Sequence, residues 1–359
     1  MVISRRQWLN VTWLSLFCGR RLQEGRAEET GTGRRRLALH QWVRDPRNPI
    51  FVPHSSFDKG GSQGPCVVLH EGRWWLFYAG IGTDGVQRIC LATARPEQPT
   101  DWTCLGPVLD LGGEGTFDGL GCTYPYVHRI GRQWHLYYSG RSNRSGPQHF
   151  SNYWGIGLAQ SDDLKTWKKY STKPVLEGDG IQQYPENRAL VGLGNIVNVR
   201  LADGRPGFRL YYTLLPGLHS QDWDEIEHKI CVAAHSVDGV NWFDRQIVLE
   251  RRREVTTENI GVVGLQVWKT ASGYRGAYTG LGTKYDTYAL VEAASADGLR
   301  WERGGAEENV SLALRQGSWE SGMIGYPHIL ADEKSVRIFY NGSGGGQTGI
   351  GMAVAEKLH

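Results

Sequence analysis

Five carboxylates stand at matching places along this chain. Asp58 lies seven residues before Pro65, Asp118 seven before Pro125, Glu258 seven before Leu265 and Glu320 seven before Pro327, while Glu186 holds the comparable place one residue out of register. Carboxylates brought together around a pocket can protonate a leaving oxygen and activate a nucleophile on the opposite face, as cleavage of a glycosidic bond requires. Mutual repulsion and partial burial would keep one of them protonated near neutrality. The same residue types also cap turns by accepting backbone N–H bonds, and recurrence in every repeat speaks for that use in most of the five.

Two long segments between apolar stretches, Arg141 to Trp154 and Leu214 to His228, hold a second set of chemically able residues. They carry Arg141, Arg144, His149, Tyr153 and Trp154, then His219, Trp223, Glu225, Glu227 and His228, and a shorter segment adds Lys284, Tyr285 and Asp286. Long loops on a regular scaffold are where function concentrates. Aromatic rings suit the apolar faces of sugars, and the polar groups suit hydroxyls. The expected substrate-binding residues are Glu258, Glu320, Tyr124, Arg141, His149, Trp154, Trp223, Lys284 and His328.

The elements that must position these residues announce themselves as a repeat. An aromatic strand ending in a small or polar residue recurs as Phe77-Tyr78-Ala79-Gly80, Tyr137-Tyr138-Ser139-Gly140, Tyr211-Tyr212-Thr213-Leu214, Ala277-Tyr278-Thr279-Gly280 and Phe339-Tyr340-Asn341-Gly342. A shorter apolar strand precedes each copy: Pro65 to Leu69, Pro125 to His128, Ile196 to Val199, Leu265 to Trp268 and Pro327 to Leu330. Three copies are followed by a turn and a tryptophan, at Ser161-Asp162-Asp163-Leu164 to Trp167, Ser236-Val237-Asp238-Gly239 to Trp242 and Ser295-Ala296-Asp297-Gly298 to Trp301. Turn residues ahead of an aromatic read as a hairpin leading into an outer strand. Each unit therefore has four strands, and five such units around an axis predict an all-β, five-bladed β-propeller with four antiparallel strands per blade.

The fifth unit lacks its outer strand at the C-terminal end, which supplies only Gly349 to Ala355. Trp42 followed by Asn48-Pro49-Ile50-Phe51 parallels Trp102 with Pro107-Val108-Leu109, so the last blade is expected to be closed by the N-terminal strand. Such closure removes open sheet edges.

Composition agrees with many short strands and tight turns: 48 Gly, 14 Trp and 16 Tyr against three Met. Eight Arg and three Glu in the first 36 residues account for more than the whole net charge of +3, leaving the remainder near neutral. Without a basic cluster there, no nucleic-acid partner is expected. Ser4-Arg5-Arg6-Gln7-Trp8-Leu9 resembles a twin-arginine export signal, and the stretch after it is too short to span a bilayer. Residues 1–36 are thus read as an export signal and flexible leader, 37–359 as a single propeller domain, and the protein as secreted or periplasmic, monomeric and free of the membrane after export. The cysteines outside the leader lack paired zinc-ligand spacing, and neither a metal nor another cofactor is expected. The sequons at Asn143, Asn309 and Asn341 say little if export is bacterial.

The motifs Phe117-Asp118-Gly119 to Tyr124-Pro125-Tyr126-Val127 and Trp319-Glu320-Ser321-Gly322 to Tyr326-Pro327-His328-Ile329, with the Ser-x-Asp-Gly-x-x-Trp hairpins, resemble the five-bladed propeller superfamily of glycoside hydrolase families 43, 32 and 130. The resemblance covers about residues 38–357. It implies a base or nucleophile from the first blade, an auxiliary Asp from the second and an acid from the third, which by blade order are Asp58, Asp118 and Glu186. Those families usually set the catalytic carboxylate one or two residues before the strand proline, where this chain has Gln63-Gly64, Thr123-Tyr124 and Gly325-Tyr326. The expected activity is acid/base hydrolysis of a plant or algal polysaccharide fragment. Non-catalytic sugar binding and phosphorolysis, with Arg141, Arg144 or Lys284 holding phosphate, are the alternatives.

Overall fold

The computed structural model describes residues 37–142, 153–178 (side chains from 155), 192, 194–215, 228–305, 308–332 and 335–356. Strands are numbered along the chain, beginning with β1 (Val43–Arg44). Blade one is β2 (Gly61–His70), β3 (Arg73–Ile81), β4 (Gln87–Ala94) and β5 (Thr103–Leu109). Blade two is β6 (Gly121–Ile130), β7 (Gln133–Ser142), β8 (Tyr153–Ser161) and β9 (Lys168–Lys169), and blade three is β10 (Ile196–Arg200), β11 (Pro206–Leu214), β12 (Ile230–Ser236) and β13 (Phe243–Leu249). Blade four holds β14 (Gly261–Thr270), β15 (Gly273–Gly282), β16 (Thr287–Ser295) and β17 (Glu302–Arg303), with β18 (Val310–Leu312) also paired to β16. Blade five is β19 (Gly325–Ala331), β20 (Ser335–Asn341) and β21 (Ile350–Glu356), completed by β1 in the order β1-β21-β20-β19.

The fold is therefore the five-bladed propeller that the repeats imply, closed by the N-terminal strand. Val43 pairs with Val354 and Arg44 with Ala353. Closure is reinforced near the axis, where Asn341 of blade five accepts the Gly64 N–H of blade one at 2.8 Å and donates to the Ser62 carbonyl at 2.5 Å. Asn341 is fully buried in this bond, and Asn309 is buried with its amide oxygen accepting from Thr257. Neither sequon is open to a glycan.

The aromatic strands fill the spaces between blades. Tyr137 of blade two donates to the Gly239 carbonyl in the outer hairpin of blade three at 2.7 Å, and Tyr211 of blade three donates to Gly298 in that of blade four at 2.9 Å. The hairpins are preset for this docking. In each, a serine hydroxyl accepts from the turn (Ser161 from Leu164, Ser236 from Gly239, Ser295 from Gly298), and an aspartate accepts the next two N–H groups. That is the capping chemistry of Asp and Ser in turns.

The inner strands leave one edge facing the axis, and a ring of side chains in one register satisfies it. The residues are Cys66, Tyr126, Asn195, Gln266 and His328. Cys66 Sγ accepts from Val127 N at 3.2 Å, and Tyr126 donates to Ile196 O. Asn195 exchanges two bonds with the backbone of Val267, Gln266 donates to Gly194 O, and His328 Nε2 donates to Val67 O at 3.0 Å. Each bond joins one blade to another, so the mid-channel is a structural seam.

Candidate active site

Four of the five carboxylates expected at the channel turn instead into their own blades. In each, the tyrosine twenty residues on donates its hydroxyl to the carboxylate: Tyr78 to Asp58 and Tyr138 to Asp118 at 2.8 Å, Tyr278 to Glu258 at 2.5 Å, and Tyr340 to Glu320 at 2.8 Å. These are the tyrosines of the aromatic repeat. Burial pushes all four hydroxyls far above the usual phenol range, so they stay protonated as donors. The glycine two places after each tyrosine lets the acid-bearing segment cross the strand. A Cβ on Gly140 would stand 2.4 Å from the Phe117 ring, one on Gly280 2.5 Å from Thr257 O, and one on Gly342 2.3 Å from Trp319.

Charge completes three of these locks. Lys169 Nζ lies 2.6 Å from Asp118, Arg44 Nε 2.6 Å from Glu320, and Arg303 Nη1 3.1 Å from Glu258, which Arg252 also meets. Lys169, Arg303 and Arg44 all come from the outer strand of the blade concerned. Asp58 faces no such cation among the described residues. Its Oδ1 accepts the N–H groups of His54 and Ser55, while Oδ2 takes Tyr78. All four carboxylates are 0–1% exposed.

The third blade departs from the pattern. Register with the other inner strands puts Asn187, not an acid, at the lock position, with Glu186 just before it. Glu186, His149 and Trp223 lie outside the described residues. Trp154 contributes backbone to β8 opposite Arg141, and its side chain is likewise outside them.

The mouth is built where the inner strands begin. In four blades the inner strand carries a β-bulge, between Gln63 and Cys66, Thr123 and Tyr126, Val263 and Gln266, and Gly325 and His328. The bulged residue is left-handed each time: Gly64 (φ 61°), Tyr124 (50°), Gly264 (71°) and Tyr326 (54°). Glycine takes this conformation freely, whereas a bulky side chain there costs about 1–3 kcal/mol. The rings of Tyr124 and Tyr326 meet at 5.5 Å, and Tyr288, at the start of β16, stands 6.1 Å from Tyr326. Lys229, just before β12, donates to the Tyr288 hydroxyl at 3.0 Å. On the other side Arg141 donates to Gln87 at 2.8 Å, and Gln87 to Gln63 at 2.6 Å. Of these groups Gln63, Gln87 and Lys229 are buried, while Tyr124, Tyr288, Tyr326 and Arg141 are partly exposed.

Of the expected binding residues, Tyr124 and Arg141 lie at this mouth, and Lys284 lies in the nearby β15–β16 connection over the Tyr285 ring. His328 does not; it belongs to the mid-channel seam, and burial holds its imidazole down to about 4. Gln63, Gln87, Lys229, Tyr288 and Tyr326 are mouth residues that the reading of candidate residues passed over. A signal for three of the mouth positions was present: Gln63, Tyr124 and Tyr326 occupy the one or two places before the strand proline.

The uncharacterized protein Rv1502 of Mycobacterium tuberculosis is 30% identical to this chain over 316 residues, covering 86% of the chain and 97% of that protein. A 1,2-beta-oligomannan phosphorylase of Thermoanaerobacter sp. is 28% identical over 135 residues, 36% of each sequence. Among solved structures, one from the GH130 family of mannoside phosphorylases and glycoside hydrolases that target β-1,2 mannosidic linkages in Candida mannan superposes with a TM-score of 0.64. It is 16% identical and covers 89% of this chain and 97% of its own. That likeness is one of fold. No protein-family model matches the sequence.

Proposed function

The chain belongs to the family of the Mycobacterium tuberculosis protein Rv1502, and on that premise we propose that it is a carbohydrate-active enzyme that cleaves an oligosaccharide at its channel mouth. The carrying observation is the division of labour among its polar groups. The mouth carries the partly exposed phenols of Tyr124, Tyr288 and Tyr326 and the guanidinium of Arg141, groups suited to sugar hydroxyls, while Asp58, Asp118, Glu258 and Glu320 are committed to locks inside the blades. A general acid must come within hydrogen-bond reach of the bond it cleaves, which a sealed carboxylate does not. Glu186, outside the lock register, takes the part of general acid in this reading. Glu225 and Glu227 of the third-blade loop are the candidates for its partner. Glu186 gives a proton to the leaving oxygen, the glycosidic C–O bond breaks, and water attacks the anomeric carbon from the opposite face while the partner carboxylate accepts its proton.

Phosphorolysis is the second reading. The partly exposed Arg141 favours it, as does the similarity to an oligomannan phosphorylase over 36% of the chain. In that case phosphate replaces water and the product is a sugar phosphate. Turnover of aryl glycosides and of β-1,2-mannooligosaccharides, with and without inorganic phosphate, tests both. Phosphate-independent release of reducing sugar is expected. Strict dependence on phosphate would establish the second reading, and sugar binding without turnover would contradict both.

A further inference from the structure

Glu292 is an acid at a place where the other four blades are apolar. It lies on β16 opposite Ala277, the first residue of that blade's aromatic repeat. The corresponding pairs are Phe77 with Leu91, Tyr137 with Leu158, Tyr211 with Ala233 and Phe339 with Met352. Blade four therefore lacks both the ring and its apolar partner, and holds a carboxylate that is fully buried. A buried charge is costly unless donors surround it. Here the donors come from the N-terminal segment: His40 N and Nδ1 lie 3.3 and 2.8 Å from Glu292 Oε2, and Trp42 Nε1 donates to Oε1 at 2.5 Å. His40 is itself buried, its ring 5.4 Å from that of Trp268, and Arg275 of β15 donates to the Ala38 carbonyl at 2.6 Å.

The exception has a topological reason. In blades one to three the first aromatic of the repeat meets the outer hairpin of the next blade: Phe77 faces the Trp167 ring at 5.7 Å, Tyr137 bonds to Gly239 and Tyr211 to Gly298. Blade five takes its outer strand from β1, so the segment leading into β1 reaches blade four where a hairpin would otherwise dock. It packs Trp42 against the cluster that contains Ala277. We propose that Ala277 and Glu292 form a socket dedicated to residues 38–42, and that this segment is a strap whose docking holds β1, and with it blade five, closed. Arg44 of β1 pairs with Glu320 in the lock of blade five, so release of the strap loosens that lock as well. The strap is thus a clasp that opens one blade while the others stay folded.

Amide hydrogen exchange of the full chain, read peptide by peptide by mass spectrometry, tests the clasp. Glu292→Leu installs the residue that blades one and two carry at this place, and leaves the His40 and Trp42 donors without their acceptor. Amides of residues 38–48 are expected to exchange at least tenfold faster than in the parent, with those of blades two and three unchanged, because the strap opens locally. Ala277→Phe, which fills the socket with the ring that blades one and five carry, should have the same effect. Parental exchange of residues 38–48 in either variant would overturn the socket. So would an equal rise in all five blades, or failure of Glu292→Leu to fold, since either would make Glu292 a support of the whole domain and not of the strap.

Discussion

A buried tyrosine hydroxyl needs an acceptor and a buried carboxylate needs donors, and in four blades of this protein each is the other's solution. In the sequence these acids recur at a fixed distance before the inner strand, which speaks for a structural use in most of them, while blade order and the family resemblance point to catalysis by Asp58 and Asp118. They recur because every lock needs the same geometry, with a tyrosine twenty residues on and a glycine to let the chain cross. Both partners were legible as repeats, but their pairing was not, since nothing in the spacing says which way a side chain turns. The locks differ in charge, which gives a graded prediction. Glu258→Gln leaves Arg252 and Arg303 without their counter-charge and should cost about 3–5 kcal/mol. Asp58→Asn disturbs only neutral donors and should cost about 1–3 kcal/mol. Denaturant unfolding of the two variants measures this, and equal losses would show that the cations contribute nothing to the lock.

At the level of elements, strands and hairpins were readable from period and turn chemistry, whereas the bulges and the mid-channel seam were not. A bulge is a one-residue slip in pairing and leaves its trace only in φ. The seam explains why His328, next to a strand proline and chemically able, serves structure instead of substrate. Burial lowers its pKa to about 4, partly offset by its bond to Val67. The folded state thus favours neutral imidazole, while the unfolded chain binds a proton near pH 6.5. Stability from this group is complete above about pH 6.5 and is lost as pH falls towards 4, on the order of 1–2 kcal/mol between pH 7 and 5. Blade four carries Gln266 at the same position, donating to a neighbouring carbonyl. His328→Gln should therefore fold, and its melting temperature should fall less than the parental one between pH 7 and 5. An unchanged fall would contradict the assignment.

For the whole molecule, the blade count and the closing strand followed from five aromatic strands and a missing outer strand. The structure adds how the ring is fastened, through β1 on β21, Arg44 on Glu320 and Asn341 on blade one. Function was less legible, because a propeller repeats its structural residues more faithfully than its functional ones. The third blade, where the lock register offers Asn187 in place of an acid, is the point at which the repeat breaks and Glu186 is set apart. The most direct measurement is the turnover of Glu186→Gln beside Asp118→Asn, each with its melting temperature. The account predicts that Glu186→Gln loses roughly a hundredfold to ten-thousandfold in kcat at parental melting temperature, while Asp118→Asn loses stability and keeps the turnover of its folded fraction. Parental turnover in Glu186→Gln, with activity lost in a stably folded Asp118→Asn, would contradict it.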